Sequence, residues 1–308
     1  MKNILVIGGS YFVGKVFVEE LSQDPAYRIY VINRGRRPLG LPGVEEIVCD
    51  RNDSDRLTSV LPRLPWHAVV DFCAYIPDDV SRLMLALAGL PLEHFIFIST
   101  ASVYAPTLDL PIREDAPKVN APQPELGPAA TYGFYKWRTE QLVADRCAQR
   151  GTAYTCLRPT IIYGKYNYAP RESYFFDRIH DNQTIVLPDN DLALFQFISV
   201  WDVAAIIKLC MGNPDTFSGC YNLSAEELVS YARLVDVLET VMETTIPTTI
   251  LPVAAIESQN IPLPFPLDAH LIYSGQLIRD TLRFQYSSLT DGLRRTYDWY
   301  RDSLIDLL

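Results

Sequence analysis

The chain has 308 residues, of which 48% are hydrophobic, and a formal net charge of −10. Its length suffices for one large domain or two unequal ones, while its acidity argues against binding along a nucleic-acid backbone. The sequence shows neither a signal-peptide pattern nor an apolar run of about 18 residues, so no membrane span is predicted. Six dispersed cysteines and four dispersed histidines predict reduced thiols, a cytoplasmic protein and no metal site.

The first half of the chain alternates short β-branched runs with helical patterns. Strands are predicted near Ile4–Ile7, Ile29–Asn33, Glu46–Cys49, Ala68–Phe72, Phe95–Ser99 and Tyr154–Arg158. Helices are predicted near Phe12–Leu21, Ser54–Leu61, Asp78–Leu87 and Ala129–Gln149. Apolar strands without polar alternation, separated by helices, are typical of a parallel sheet covered on both faces. We therefore expect an α/β fold with a doubly wound parallel sheet of the Rossmann type.

After residue 160 the pattern loosens. A strand at Phe195–Ser199, a helix at Trp201–Met211 and an apolar run at Tyr221–Leu223 indicate that the chain returns to the sheet. The remaining segments predict a smaller C-terminal region beside the sheet edge, where ligands bind in such folds. The predicted division is a dinucleotide-binding domain of residues 1–165 and 195–225 and a smaller substrate-binding domain of residues 166–194 and 226–308.

The segment "VIGGSYFVGKVF" joins the first strand to the first helix and allows two functional interpretations. Gly9, Gly14 and Lys15 have the spacing of a triphosphate-binding P-loop, but Val16 replaces the Ser or Thr that would bind magnesium. Alternatively, Gly8 permits a tight turn and Gly14 allows the helix to pack closely, so that the helix N-terminus faces a pyrophosphate. A glycine turn without any ligand is the third alternative.

The end of the second strand bears on the choice of dinucleotide. In "VINRG", Asn33 and Arg34 follow the turn by about 20 residues, where an acidic residue would bind the ribose 2′-hydroxyl of NAD. An arginine at this place instead suits a 2′-phosphate. The neighbouring Arg36 and Arg37 fit a solvated basic loop equally well. The sequence thus predicts NAD(P) as the cofactor and favours NADP over NAD.

A candidate catalytic group lies about 120 residues further on, in "TYGFYKWRTEQL". Tyr132 and Lys136 are four residues apart on a predicted helix and so project from one face. A lysine ammonium beside a phenol would lower the phenol pKa from about 10 toward neutrality, making Tyr132 an acid or base. Thr100, at the end of the fifth strand, would offer a hydroxyl to the substrate oxygen that Tyr132 protonates. These three positions, each on the expected kind of element, predict an enzyme.

With these residues in place, the chain resembles the extended short-chain dehydrogenase/reductases, also called the NAD(P)-dependent epimerase/dehydratase family. The resemblance covers most of the chain and rests on "IGGSYFVG", "VINRG", "CDRND", "VVDFCAY", "ISTASVY", "YGFYK", "LRPTIIYG" and "FISVWDVA". It implies that Thr100, Tyr132 and Lys136 are the catalytic set and that Lys136 also holds the nicotinamide ribose. Tyr11 replaces the middle glycine of the turn, as bulky residues do in an atypical branch that reads G-G-T-x-F-x-G.

The resemblance also implies further cofactor contacts. Residues after the third strand would border the adenine, residues after the fourth strand would line the cofactor, and residues after the sixth strand would border the nicotinamide. The predicted cofactor site consists of Gly8, Ser10, Tyr11, Phe12, Val13, Gly14, Asn33, Arg34, Asp50, Arg51, Phe72, Cys73, Ala74, Pro159 and Ile161. Asp71 departs from the family, which usually has His or Asn there.

The substrate implied by the family is a nucleotide sugar. Candidate substrate-binding residues are Tyr75, Ser102, Arg171 and Gln196. A 4,6-dehydratase would need an Asp-Glu pair after Thr100, whereas this chain has Ala101 and Ser102, so an epimerase or a simple reductase is predicted. The alternative is a non-catalytic NAD(P)-binding sensor or interaction protein on the same fold, as in plastid RNA-binding members of the atypical branch. A homodimer through residues 78–90 and 129–150 is a further expectation.

Overall fold

A computed structural model describes residues 1–190 and 192–305 and has a seven-stranded parallel sheet at its centre. The strands of the described residues are β1 (Lys2–Ile7), β2 (Tyr27–Asn33), β3 (Val44–Val48), β4 (Trp66–Asp71), β5 (Leu92–Ile98), β6 (Ala153–Pro159), β7 (Ile161–Tyr163), β8 (Ile185–Pro188), β9 (Phe197–Ser199), β10 (Gly219–Leu223) and β11 (Thr248–Leu251). The central sheet has the order β3-β2-β1-β4-β5-β6-β10. The order reverses between β1 and β4, which places a ligand-binding crevice beyond the carboxyl ends of these strands.

Helices cover both faces of the sheet. Those of the described residues are α1 (Phe12–Ser22), α2 (Ser54–Val60), α3 (Pro77–Ala86), α4 (Tyr132–Arg150), α5 (Glu172–His180), α6 (Val200–Cys210), α7 (Tyr231–Met242), α8 (Val253–Ser258), α9 (Gln276–Leu282) and α10 (Leu289–Ile305). One apolar layer joins α1 and α6 to the sheet, and a second joins α2, α3 and α4 to its other face. This confirms the predicted doubly wound α/β fold.

The structure differs from the predicted elements in two places. The helix expected from Ala129 begins at Tyr132, because residues 124–129 include prolines and form a 3₁₀ turn instead. The strand expected at Phe195–Ser199 is shorter and pairs with β7 rather than with the central sheet. It is β10 that completes the sheet, beside β6.

Beyond the sheet, a third apolar cluster is built from the C-terminal half of the chain. It is rich in aromatic rings, with Phe195 stacked on Phe265 at a centroid distance of 4.9 Å and in edge contact with Tyr231 at 5.6 Å. A small parallel pair, β8 and β11, lies beside it. Residues 191 and 306–308 of the predicted smaller domain lie outside the described residues.

The described residues also bear on membranes and metals. None of their helices is long and apolar enough to cross a membrane. They contain no group of three His, Cys, Asp or Glu side chains placed to hold a metal ion. All six cysteines carry free thiols.

A buried ion pair connects α4 to the sheet. Arg158 on β6 donates from Nη2 to Glu140 Oε2 on α4 at 2.6 Å, and both side chains are almost fully buried. Glu140 also accepts a hydrogen bond from the Ser99 hydroxyl, and Arg158 Nη1 donates to the Tyr104 hydroxyl at 2.8 Å. Tyr104 in turn donates to Asn222 Oδ1 on β10 at 2.6 Å. This network fixes α4, which carries Tyr132 and Lys136, against three strands.

The Arg158→Met variant should lose roughly 3–5 kcal/mol of unfolding free energy, because it leaves the Glu140 carboxylate buried without its partner. The double variant Glu140→Met/Arg158→Met should lose less than Arg158→Met alone. Chemical denaturation measures both. Arg301→Met, which breaks an exposed pair with Asp298, is the control and should lose less than about 1 kcal/mol. Equal losses of unfolding free energy in Arg158→Met and Arg301→Met would contradict the stabilising role of the buried pair.

Candidate active site

A cavity of about 690 Å³ opens at the carboxyl edge of the sheet, across the point where the strand order reverses. The loops after β1, β2, β3, β4, β5 and β6 all contribute to it. The predicted site residues that line it are Gly8, Ser10, Tyr11, Phe12, Val13, Gly14, Asn33, Arg34, Asp50, Arg51, Phe72, Cys73, Tyr75, Thr100, Ser102, Tyr132, Lys136, Pro159, Ile161, Arg171 and Gln196. Ala74 is the exception: it is fully buried behind the cavity wall.

The β1–α1 turn has the geometry of a dinucleotide turn. Gly8 has φ +84°, and a Cβ there would lie 2.8 Å from Cys73 Sγ. A Cβ on Gly14 would lie 2.5 Å from the Gly8 carbonyl oxygen, so only glycine allows α1 to approach the turn so closely. Tyr11 at the N-cap of α1 makes no side-chain capping bond. The free N–H groups of the first helical turn therefore suit a pyrophosphate.

The P-loop interpretation does not fit the same turn. A Cβ on Gly9 would meet Val6, Val18 and Val31 at 2.9–3.1 Å, so Gly9 faces the apolar core rather than the cavity. Lys15 is also directed elsewhere, with its ammonium 4.0 Å from the centroid of the Tyr166 ring. Neither residue lines the cavity. The spacing of these two residues therefore mimics a P-loop without its geometry.

Asn33 and Arg34 lie in different environments: Asn33 is buried and supports the loop, whereas Arg34 is exposed. Asn33 is buried; its Oδ1 accepts from the Gly35 amide at 2.7 Å and its Nδ2 donates to Glu46 Oε2 at 3.0 Å. Glu46 also accepts from the Leu39 amide at 2.8 Å. Arg34, by contrast, is exposed on the cavity wall. Its charge is thus accessible to an anion at this end of the cavity.

Arg51 and Asp71 form a buried bidentate pair beneath the same end. Arg51 Nη1 lies 2.8 Å from Asp71 Oδ1, and Nη2 lies 2.9 Å from Asp71 Oδ2. Arg51 also donates to Cys73 Sγ at 3.2 Å and to the Asp79 carbonyl at 2.9 Å. The unusual aspartate at the end of β4 therefore has a partner in the β3–α2 loop. Asp50, the other residue expected at the adenine, is exposed on the cavity wall.

Lys136 is held by backbone carbonyls. Its Nζ donates to the Ala74 oxygen at 2.9 Å and to the Ile98 oxygen at 2.8 Å. Among the described residues no third acceptor is present, so one N–H of the ammonium is left at the cavity that Lys136 lines. Burial lowers the pKa of Lys136 to about 8, and Asp71 partly offsets that shift.

The expected effect of Lys136 on Tyr132 is not found. Burial raises the pKa of Tyr132 above its usual value, and hydrogen bonding with Thr100 and the positive charge of Arg171 offset this only in part. The i, i+4 spacing places both side chains at one cavity, but the ammonium is engaged with Ala74 and Ile98. The prediction of a phenol poised near neutrality is therefore wrong for the protein as it stands.

Two of the predicted substrate-binding residues form hydrogen bonds with the backbone. Gln196 lines the cavity, yet its Oε1 accepts from the Tyr273 amide at 2.7 Å and its Nε2 donates to the Ala225 oxygen at 2.8 Å. Arg171 Nη1 donates to the Ile162 oxygen at 3.0 Å. Lining residues that the sequence did not single out for the site include Thr160, Leu271 and Tyr273. Leu271 and Tyr273 each form an isolated β-bridge to a distant segment of the chain. The sequence around them therefore gives no local signal that they line the cavity.

Comparison with known proteins identifies the family. The family model described as "NAD dependent epimerase/dehydratase family" matches residues 4–224. The chain belongs to this family. The "Chloroplast stem-loop binding protein of 41 kDa b, chloroplastic" of Arabidopsis thaliana is 28% identical over 248 residues, covering 76% of this chain and 61% of that protein. The UDP-glucose 4-epimerase of Azospirillum brasilense is 31% identical over 177 residues, covering 51% of this chain and 48% of that enzyme.

Solved structures confirm the fold. A UDP-glucose 4-epimerase from Thermotoga maritima, solved with UDP-glucose, aligns with a TM-score of 0.79 at 18% identity and covers 98% of this chain and 99% of that one. A UDP-N-acetylglucosamine 4-epimerase from Methanobrevibacter ruminantium, in complex with UDP-N-acetylmuramic acid, aligns at 0.78 with 20% identity and the same coverage. A UDP-glucuronic acid 4-epimerase from Bacillus cereus, in complex with NAD, aligns at 0.77 with 18% identity and covers 96% of each chain.

We expect the Tyr132 phenol of the free protein to ionise at a higher pH than an ordinary tyrosine, because burial raises its pKa. Ultraviolet difference titration of the unaltered protein against Tyr132→Phe isolates this ionisation, and circular dichroism checks that both remain folded. A midpoint near pH 7 would show that Lys136 governs the phenol after all.

Proposed function

We propose that the protein is an NAD(P)-dependent epimerase or reductase that acts on a hydroxyl or carbonyl group of a sugar-like substrate, in the class of nucleotide sugars. The observation that carries this proposal is the convergence of Thr100, Tyr132 and Lys136 on the cavity that the dinucleotide turn also lines. A cofactor at the turn and a substrate beside Tyr132 would occupy neighbouring parts of one space. Membership of the epimerase/dehydratase family supports the same conclusion.

The residues around the turn fit a nicotinamide dinucleotide. Gly8 and Gly14 let the backbone approach the pyrophosphate, and Arg34 is available to a 2′-phosphate, which favours NADP. The B. cereus relative was solved with NAD, so both dinucleotides need to be compared. When bound, the nicotinamide would supply the hydride chemistry.

The chain's own residues would move the proton. In the free protein the neutral phenol of Tyr132 is ready to donate its proton to a carbonyl oxygen. To remove a proton from a hydroxyl it must first ionise, and a positive charge that enters the cavity favours that ionisation. Thr100 would share the same substrate oxygen, and the remaining N–H of Lys136 would hold a hydroxyl at the cavity floor.

Substrate choice would depend on three other lining residues. Arg171 would meet a phosphate of a nucleotide sugar, and Tyr75 and Ser102 would contact the same substrate. The positions after Thr100 are Ala101 and Ser102, which disfavours a 4,6-dehydratase. A panel of nucleotide sugars and small carbonyl compounds, followed by nicotinamide absorbance and by epimer ratio, separates epimerase from reductase. No change with any compound would count against both.

A second candidate is a non-catalytic binding protein on this fold. It is favoured by the similarity to a plant protein named for stem-loop binding, which covers more of this chain than the match to the A. brasilense epimerase. The formal net charge of −10 weighs against a nucleic-acid partner. We further propose a cytoplasmic location, from the free thiols, and a homodimer through residues 78–90 and 129–150.

Tyr132→Phe should lower turnover by about 10²–10⁴-fold, the usual contribution of a positioned acid or base. Dinucleotide affinity should stay nearly unchanged, since the ring remains. Steady-state rates with the best substrate of the panel and fluorescence titration with NADPH measure the two effects. Tyr135→Phe, on the same helix but outside the cavity, is the matched control. Unchanged turnover in Tyr132→Phe would exclude a catalytic role.

Arg34→Ala should weaken NADP binding by about ten- to a hundredfold and leave NAD binding nearly unchanged, because a charged hydrogen bond to a phosphate contributes about 1.5–3 kcal/mol when well formed. Calorimetric titration with each dinucleotide provides the comparison. Arg36→Ala, in the same basic loop but not at the cavity, should change neither affinity. An unaltered NADP preference in Arg34→Ala would reject Arg34 as the 2′-phosphate ligand.

A further inference from the structure

Three side chains form a stack at the mouth of the cavity. The rings of Tyr11 and Tyr168 lie 4.9 Å apart between centroids with an interplanar angle of 15°. On Tyr11, the Arg37 guanidinium carbon lies 4.2 Å from the ring centroid. Tyr11 and Tyr168 keep 38% and 64% of their surface accessible, although their rings pack closely. A stack this exposed contributes little to the core.

The stack joins two chain segments that both line the cavity. Tyr11 belongs to the β1–α1 turn, which would hold the pyrophosphate, whereas Tyr168 belongs to the segment between β7 and α5. Both line the cavity, and Phe12 makes an edge contact with Tyr168 at 5.9 Å. The pair therefore bridges the turn and the β7–α5 segment within the cavity lining.

The base of the Tyr168 segment is fixed to α1. Lys165 Nζ lies 3.0 Å from Glu19 Oε2, and the Tyr166 hydroxyl donates to Glu19 Oε1 at 2.8 Å. The Lys15 ammonium covers the Tyr166 ring at 4.0 Å. Because these contacts hold the backbone close to the turn, the stack of the two rings opens most simply by rotation of the Tyr168 side chain. Exposed side chains change rotamer within nanoseconds.

We propose that Tyr11 and Tyr168 form a latch across the dinucleotide cleft, which the cofactor passes only when the ring stack is open. This inference rests on the proposed function in one respect, namely that the ligand is a dinucleotide. A latch slows entry and exit alike, since it lowers the fraction of the protein that can exchange ligand in both the free and the bound state. It would retain the cofactor between turnovers, which suits an epimerase that regenerates its cofactor more than a reductase that exchanges it.

Stopped-flow fluorescence with NADPH, and with NADH in parallel, tests the latch. Tyr168→Ala should raise the association and the dissociation rate constants together by roughly three- to tenfold, the factor that one aromatic pair can supply. The dissociation constant should change much less than either rate. Tyr168→Phe keeps the ring and should behave as the unaltered protein. Tyr135→Ala removes an exposed tyrosine away from the cavity and should change neither rate.

Tyr11→Ala should reproduce the effect from the other partner. Tyr11→Ala/Tyr168→Ala should add little beyond either single change, because both remove one interaction. A rise in the dissociation rate alone would mean that Tyr168 is a wall contact, and unchanged rates would mean that the stack does not obstruct the cleft; either result overturns the latch. If the unaltered protein bound neither dinucleotide, the proposed function would fall and the latch with it.

Discussion

The buried pair of Glu140 and Arg158 is the constraint on which the geometry of the site depends. Glu140 lies one helical turn after Lys136 on α4, so its bond to Arg158 sets how deeply that helix seats on the sheet. Through Ser99, the same carboxylate fixes the strand end that carries Thr100. The relative position of the candidate catalytic hydroxyl, phenol and ammonium thus follows from one interaction in the low-dielectric interior, where a misplaced charge is costly.

The same network extends into the proline-rich segment after β5. Arg158 Nη1 donates to the Glu114 carbonyl at 3.2 Å, and the Asn222 amide donates to Glu114 Oε1 at 3.0 Å. A loop that contains several prolines forms few backbone hydrogen bonds of its own. Side-chain contacts from the sheet add to those bonds, so the residues that position α4 also hold this loop.

The sequence predicted the first half of the fold well, because parallel strands covered on both faces appear in the sequence as apolar runs separated by helical patterns. Nearly every residue that was predicted for the site lines the cavity, because strand ends at one sheet edge must converge. It failed where the outcome depends on distant partners. Spacing shows that Tyr132 and Lys136 share a helix face, but not that two carbonyls, of Ala74 and Ile98, take the ammonium's donors. Likewise, the pairing of β9 with β7 and the backbone bonds of Gln196 are set by segments far apart in the chain.

Arg51 and Asp71 show how such distant pairing constrains the history of a protein. Either residue alone would leave an ionised group in the interior beneath the cavity, with Cys73 and the Asp79 carbonyl as its remaining neighbours. A change at either position is therefore tolerated only together with a compensating change at the other, twenty residues away. The two residues are best regarded as one inherited character.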